Sequence, residues 1–382
     1  MQFIKNSSFV IASTWVLTSN IALAGPDLSQ ASIDTINGSI TGNNTSAVTV
    51  GLNDSSSVLN WNSFNTAQLE TVTFNLPTNG KVLNLINDPN RTIFNGVLTA
   101  NNGSVFLVNP NGIEFGSNSI VTVLNGSFVA SSLVISAEDF NNNNYQFSTG
   151  ASKGVIINSG TIIASHVGLI GNSVANQGFI NAISFNGESS VNLIAGEATT
   201  LTFDSSGLMQ FEITEAVTEN LADPASNNNA IEHGSAGRIS ANQVLLSAKT
   251  AAGVFDNAIN STGKLEATSI NNQGGVVQLR SEGAMAGEDI SVDLGRVESS
   301  VETIIVSIPT EPSPEPSDGT DEGTPSEQLA TNLASANLNT LNANSNAPGN
   351  DNSVIASTST SLGLYSVEES GIRLPADQQD GF

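Results

Sequence analysis

Residues that could carry acid–base or metal chemistry are few and scattered in this sequence. Its two histidines, His166 and His233, lie far apart and the chain has no cysteine, so the sequence predicts no metal site and no cofactor. Polysaccharide cleavage would need convergent carboxylates. The adjacent pair Glu138-Asp139 is expected to point to opposite faces of a strand, and the basic residues are isolated from one another. The sequence therefore predicts that the protein is not an enzyme.

One short run, Asn109-Pro110-Asn111-Gly112-Ile113, has the composition of a sharp turn. Proline fixes one turn dihedral angle and Asn-Gly supplies positive φ, so we expect a corner between strands at 105–107 and 113–115. A β-branched residue at Asn109 or Asn111 is expected to cost about 1 kcal/mol or more, because such residues avoid positive φ. The run serves as this corner, or contacts a partner protein, and the two roles can coexist.

Internal repetition indicates the elements that position this run. Segment 158–164, NSGTIIA, recurs as segment 176–182, NQGFINA, at an offset of 18 residues. Its core, Gly-x-aliphatic-x-Ala, returns at 96–100, 237–241 and 263–267, and with an aromatic centre at 126–130. Five alternating residues make a short strand, and Gly or Asn before each strand allows a left-handed corner.

Such units bury their aliphatic side chains only when they stack as coils. The sequence thus predicts an all-β fold, a parallel β-helix of roughly 20 residues per coil with on the order of a dozen coils between residues 30 and 305. A sandwich or a jelly roll is the alternative fold, since both also consist of brief strands separated by Asn and Gly.

Charge and composition limit the partners. The net charge is −25 with only ten Lys and Arg, which argues against nucleic acid and anionic lipid as ligands. The N-terminus reads as a secretory signal, with Lys5, an apolar stretch at 9–23 and a cleavage site at Ala22-Leu23-Ala24. That stretch is too short for a permanent membrane span, so the mature chain is expected to begin at Gly25.

Composition also divides the chain. We expect a signal peptide at 1–24, a β-helix at 25–305, a stiff acidic and proline-rich linker at 306–326, and a largely disordered, low-complexity tail at 327–382. Apolar residues within 361–382 are enough for a short docking segment.

Several segments resemble the haemagglutination-activity, or two-partner secretion, domain of the filamentous haemagglutinin family. The strongest is 88–116, DPNRTIFNGVLTANNGSVFLVNPNGIEFG, which contains the complete Asn-Pro-Asn-Gly-Ile signature at 109–113. Upstream, Trp61, Phe64 and Asn65 are similar to the family's early Trp-x-x-Phe-Asn element, and 191–213 and 237–248 are similar to later strand segments. A second, earlier Asn-Pro-Asn-Leu motif of the family has no counterpart, and the nearest run, 87–90, is interpreted as a corner only.

The resemblance implies a right-handed β-helix, entry to the periplasm, and recognition by the POTRA domains of an outer-membrane transporter that threads the unfolded chain outward. It implies a secreted or cell-surface exoprotein that acts in adhesion, binding a host or matrix surface ligand. A secreted polysaccharide-active enzyme and a scaffold that displays a C-terminal docking tail are the alternatives. Trp61, the sole tryptophan after residue 24, is interpreted as a core or cap residue rather than a ligand platform.

Overall fold

A computed structural model describes residues 25–308, apart from 186, 205–207, 269–274 and 285–288, together with 354–357, 365–368 and 371–372. The predicted signal peptide with Ala22 and Ala24, the linker from residue 309 onward, and most of the tail lie outside the described residues. The chain folds as a right-handed parallel β-helix; the repeats predicted the parallel β-helix, and the family resemblance implied its hand. Its strand ladders are parallel along three faces, which distinguishes it from a sandwich or a jelly roll.

A complete coil contributes one strand to each of three faces. The first face consists of β3 (Ala47–Leu52), the first halves of β5 (Thr71–Ile86), β7 (Val97–Val108), β9 (Ile120–Ser131) and β12 (Thr161–Gly171), then β14 (Phe179–Ala182), β19 (Arg238–Ala241), β22 (Lys264–Ala267) and β25 (Val297–Ser299). The second face consists of β4 (Ser56–Ser63), the second halves of β5, β7, β9 and β12, then β15 (Ser190–Ala195), β20 (Gln243–Lys249), β23 (Val276–Glu282) and β26 (Glu302–Ile308). The third face consists of β6 (Thr92–Phe94), β8 (Ile113–Phe115), β11 (Val155–Asn158), β13 (Ser173–Asn176), β18 (Asn229–His233), β21 (Asn257–Ser261) and β24 (Ile290–Val292).

The remaining elements lie outside the coils. An N-terminal cap contains β1 (Asp27–Leu28), α1 (Gln30–Thr35) and β2 (Gly38–Thr41). Two insertions contain α2 (Ala137–Asn141), β10 (Tyr145–Ser148), β16 (Ala198–Phe203), β17 (Met209–Glu215) and a 3-10 turn at Pro224–Ser226; a second 3-10 turn spans Leu294–Arg296. Three short strands follow in the tail: β27 (Val354–Ser357), β28 (Tyr365–Glu368) and β29 (Gly371–Ile372).

The repeat of 18 residues is one full coil. Asn158 pairs with Asn176 and Thr161 pairs with Phe179, so the recurring segments lie directly on one another. The described first face nevertheless has nine strands rather than about a dozen. The estimate was too high because the cap and the two insertions use residues that it assigned to coils. Glu138 and Asp139 lie in α2 rather than in the predicted strand.

The core is a column of large side chains along the axis. Rings of Phe64, Phe94, Phe115 and Phe128 follow one another at centroid distances of 6.1, 5.9 and 5.7 Å, and all four are fully buried. Val, Ile and Leu continue the column through the later coils. Burial along this axis replaces the disulfides that the chain cannot form.

The glycines that precede first-face strands are needed for close approach between coils. The expected left-handed conformation was wrong for them, because Gly160 and Gly178 are absent from the positive-φ residues. A Cβ on Gly178 would lie 2.2 Å from the carbonyl oxygen of Gly160, and one on Gly160 would lie 2.7 Å from that of Gly116. Left-handed corners occur instead at Asn79, Asn102 and Asn125, which precede the second face in consecutive coils.

We predict that Gly178→Ala lowers the free energy of unfolding by about 1–3 kcal/mol, since the added methyl group pushes adjacent coils apart. The measurement is urea unfolding followed by circular dichroism. Gly187→Ala is the matched control, because nothing lies within 4 Å of the position of its Cβ. Equal stability of the two variants would contradict the close-approach explanation.

Two of the three outer faces are covered in part. Residues of α2, β10 and the β16–β17 hairpin pack on the outside of the second face, where Phe140, Tyr145 and Phe147 contact Phe106 and Val129. Leu221 and Ala225 of the second insertion cover Val155, Ile157 and Ala175 on the third face.

The strand β26 runs to Ile308, three residues beyond the predicted end of the β-helix, and pairs with β27 of the tail.

Candidate functional site

Asn109 is the centre of the candidate site and is fully buried. Its side-chain amide donates to the carbonyl oxygen of Asn90 (3.1 Å) and to Oγ1 of Thr92 (2.9 Å), both in the preceding coil. Its Oδ1 accepts the backbone N–H of Asn111 (2.9 Å), which closes an Asx turn. One side chain therefore shapes its own corner and joins it to the coil below.

Asn111 and Gly112 complete this corner. The Asn111 amide donates to the carbonyl oxygen of Asp88 (2.9 Å), and the N–H of Gly112 donates to the carbonyl oxygen of Asn109 (2.9 Å). Positive φ occurs at Gly112 (98°) and at neither asparagine, so the expected φ penalty at Asn109 and Asn111 was wrong. These asparagines are needed for their side-chain hydrogen bonds instead.

The run Asp88-Pro89-Asn90 forms the equivalent corner one coil earlier. Thr92 pairs with Ile113 and Phe94 pairs with Phe115, so Asp88 occupies the position of Asn109 at an offset of 21 residues. Asp88 Oδ1 accepts the backbone N–H of Asn90 (2.9 Å), the same Asx turn as at Asn109. The sequence contained this signal as the repeated x-Pro-Asn spacing, which the interpretation as an isolated corner missed.

The early element continues the same ladder into the first coil. Asn65 donates from its amide to Asp88 Oδ2 (3.1 Å) and accepts the N–H of Ile93 at its Oδ1 (2.7 Å). Thr66 accepts the N–H groups of Asn95 and Gly96 at its hydroxyl. Phe64 and Trp61 are fully buried beneath this corner, with ring centroids 4.8 Å apart.

Trp61 joins three coils through one buried amide. Its indole N–H donates to Oδ1 of Asn84 (2.9 Å), and the Asn84 amide donates to the carbonyl oxygen of Phe106 (3.0 Å). Asn84 is fully buried, and its importance is not evident from sequence because asparagine is common throughout the chain.

We name these three corners, at 61–66, 88–92 and 109–113, the polar turn stack. The structure brings together all eight residues that the sequence singled out there, which are Trp61, Phe64, Asn65, Asn109, Pro110, Asn111, Gly112 and Ile113. Arg91 of the 88–92 corner lies 3.3 Å from Glu114 and in direct contact with Asp223 of the second insertion. The hydrogen bonds of this arrangement fix the backbone corners.

The two histidines are buried structural residues on different faces. Nδ1 of His166 lies 3.1 Å from Oγ of Ser190. Nδ1 of His233 lies 3.1 Å from the Asn176 amide and its Nε2 lies 3.2 Å from the Lys264 carbonyl oxygen. Since a carbonyl only accepts, Nε2 of His233 carries the proton and Nδ1 accepts from Asn176. Within the described part of the chain, no group of His, Asp and Glu has the spacing of a metal site.

Acidification is predicted to destabilise the protein through these histidines. Burial lowers the pKa of both His166 and His233 to about 4. The unfolded chain gains protons near the ordinary pKa of 6.5 while the folded chain does not, so the free energy of unfolding falls as pH drops from 7 towards 4. Between pH 7 and 4.5 we expect each histidine to contribute a loss of about 2–3 kcal/mol.

Urea unfolding at both pH values, compared between wild type and His233→Gln, measures this contribution. The comparison cancels the contribution of the carboxylates to the pH dependence of stability. One of them is Glu232, and burial raises its pKa. The variant is expected to lose about 2 kcal/mol less than wild type on acidification. Equal losses would show that His233 is protonated normally in the folded protein.

A family model described as the TPS secretion domain matches residues 24–292 of the chain. The protein belongs to the two-partner secretion family. A domain of this kind implies an exoprotein that is secreted by a two-partner system. The match begins one residue before Gly25 and includes the polar turn stack and both insertions.

The individual relatives of this two-partner secretion protein share 28% or less of its sequence. The Heme/hemopexin-binding protein of Haemophilus influenzae is 28% identical over 232 residues, which are 59% of this chain and 24% of that protein. The chain thus spans about a quarter of the length of the curated relative. Two solved secretion domains are similar in structure. The HMW1 secretion domain from Haemophilus influenzae has 24% identity and a TM-score of 0.47 over 76% of this chain and 82% of its own. The filamentous hemagglutinin secretion domain has 13% identity and a TM-score of 0.48 over 74% of this chain and 99% of its own.

No helix among the described residues has both the length and the apolar character needed to cross a membrane.

Proposed function

We propose that residues 25–305 are the export unit of this exoprotein and that the polar turn stack is the part on which its recognition depends. In this proposal the signal peptide directs the chain to the periplasm, where POTRA domains of the transporter bind it before it folds. The proposed role of the polar turn stack is supported by the hydrogen bonds of Asn109. They close its own corner and join that corner to the preceding coil. In this proposal, the polar turn stack is needed both for recognition by the transporter and for folding of the first coils.

Folding outside the cell supplies the driving force for export in this scheme. Each coil buries its side chains on the preceding coil and completes the backbone hydrogen bonds of its parallel ladders. The first three coils contain the polar turn stack and most of the aromatic column, so they form a stable base for later coils. A folded coil at the surface opposes return of the chain through the transporter.

The deciding experiment compares extracellular yield of the full chain and of residues 1–305, each with and without the cognate transporter. We expect release of both forms only when the transporter is present. Release without the transporter, or failure of the truncated form alone, would show that the export signal lies elsewhere in the chain.

Cleavage after Ala24 is supported by the packing of the residues that follow. Gly25 and Pro26 are buried, and the N–H of Leu28 donates to Oδ1 of Asn43 (2.7 Å) in the N-terminal cap. N-terminal sequencing of the secreted protein is expected to start at Gly25. A start beyond Leu28 would remove part of the cap and contradict the proposed site.

The exported protein is proposed to act as a binding protein at a surface or in a matrix, without enzymatic activity. Support comes from the family model and from the binding protein among the curated relatives. Binding of haem or haemopexin is not carried over, because only a quarter of that relative is matched. If the tail displays a docking segment at 361–382, its deletion abolishes surface binding and leaves export unchanged.

A further inference from the structure

The outer side of the first face is the one face of the β-helix that no described element covers. Part of the second face is covered by α2, β10 and the β16–β17 hairpin, and the middle of the third by Leu221 and Ala225. On the first face, alternate side chains point outward along flat parallel strands, as the burial pattern of β3 shows. This face is available for contact with another molecule.

The outward positions of its first six strands carry no charged residue. They are Ala47, Thr49, Gly51, Thr71, Thr73, Asn75, Val97, Thr99, Asn101, Ile120, Thr122, Leu124, Thr161, Ile163, Phe179 and Asn181. Charge begins at the seventh strand, where Arg238 pairs with Glu266 of the next strand. In a chain of net charge −25, an uncharged strip of six strands disfavours ionic partners.

A ladder of hydroxyl groups lies along the middle of this strip. Thr49 pairs with Thr73, Thr73 with Thr99, and Thr99 with Thr122. Parallel strands set these hydroxyls about 4.8 Å apart, close to the rise of one sugar in an extended glucan. Each hydroxyl can both donate and accept a hydrogen bond.

Apolar side chains lie on both sides of the ladder and at its end. Ile120 is 44% exposed and Leu124 is 40% exposed, on either side of Thr122. Beyond the ladder, Ile183 is 45% exposed and Phe185 is 73% exposed, and the Phe179 ring lies 5.6 Å from the Arg238 guanidinium carbon. Exposed aliphatic and aromatic groups beside regularly spaced hydroxyls match the C–H faces and ring hydroxyls of a neutral sugar.

We propose that this strip, which we name the threonine face, binds a neutral, extended polysaccharide that runs along the β-helix axis. The proposal specifies the ligand class for the binding role given above and depends on that role. A second copy of the chain fits less well: six strands about 4.8 Å apart and about 16 Å wide give a paired interface on the order of 900 Å², below the 1,200–2,000 Å² of stable complexes.

The test uses the purified full-length mature protein with cellohexaose, a neutral extended glucan, and a galacturonic acid hexamer as the anionic comparison, in isothermal titration calorimetry. We expect saturable binding of cellohexaose and none of the anionic sugar. The double variant Thr99→Val with Thr122→Val removes two hydroxyls and keeps the β-branched shape, so its affinity should fall about tenfold. Thr202→Val, on an exposed strand of the hairpin, is the matched control and should bind like wild type.

The unfolding midpoint of each variant, followed by Trp61 fluorescence, verifies that the fold is unchanged. No binding of cellohexaose, equal affinity of the double variant, or preference for the galacturonic acid hexamer would each overturn the proposal. Concentration-dependent dimers in sedimentation velocity that the double variant loses would assign the face to a second copy instead. Because these measurements use purified protein, their failure leaves the export proposal untouched.

Discussion

Asn109→Leu is expected to reduce transporter-dependent release at least tenfold. Leucine has the same branching and the same number of side-chain heavy atoms as asparagine, but it cannot make the three side-chain hydrogen bonds of Asn109. It leaves the Asn90 carbonyl, the Thr92 hydroxyl and the Asn111 N–H without this partner at a buried position, at a cost of about 1–3 kcal/mol for each group that stays unsatisfied. The corner that the polar turn stack requires is then lost. Extracellular yield measured beside the periplasmic level gives the effect.

Asn118→Leu is the matched control for this change. Asn118 lies on an exposed turn of the same coil and has one long side-chain contact, 3.4 Å to the amide of Gln68. It should be released at close to the wild-type level. If Asn109→Leu is also released normally, the polar turn stack has no part in export, even though it shapes the fold.

Phe115→Ala is expected to lower the free energy of unfolding by about 3–5 kcal/mol. Phe115 is fully buried between Phe94 and Phe128 in the aromatic column, so truncation leaves a cavity between coils that cannot easily collapse. Chemical unfolding, followed by circular dichroism for the whole chain and by Trp61 fluorescence for the first coils, measures the loss.

Phe203→Ala provides the comparison, since Phe203 is 37% exposed on the outer hairpin and contacts the Tyr145 ring at its edge. We expect it to change the stability by less than about 1 kcal/mol. A similar loss in both variants would mean that the outer hairpin stabilises the protein as strongly as the axial column does.

Much of the fold could be predicted, because the repeats in the sequence correspond to successive coils of the β-helix. The offset of 18 residues is a register that the structure reproduces residue by residue, and the corner at 109–113 follows from its turn residues. The number of coils could not be predicted, because insertions of ordinary Asn, Ser and Thr composition are not distinguishable from coils by period alone. Only the folded structure shows that the chain leaves the β-helix at residues 196–228 and returns to it at β18.

The chemical roles of individual residues were harder to predict than the strands. Positive φ was expected at Asn109 and Asn111, yet it occurs at Gly112 and at Asn79, Asn102 and Asn125. The glycines before strands lie against a carbonyl oxygen of the neighbouring coil. Gly178 and Gly160 are 18 positions apart and Gly160 and Gly116 are 44 apart, so local propensity does not encode these contacts. Asp88 was separated from the signature because it differs from asparagine in sequence, although both side chains close the same turn.

Both insertions branch from the same edge of the β-helix. Residues 132–154 and 196–228 each leave the end of a second-face strand and rejoin the stack at the third face, the edge that the polar turn stack occupies in the earlier coils. Pairing along the faces continues across these departures. β9 still pairs with β12, with one register shift between Ala164 and His166, and β13 still pairs with β18. The edge between the second and third faces is therefore a suitable site for inserting a foreign segment. A foreign loop introduced there, for example at 250–256 between β20 and β21, could add new cargo while the neighbouring coils keep their alignment.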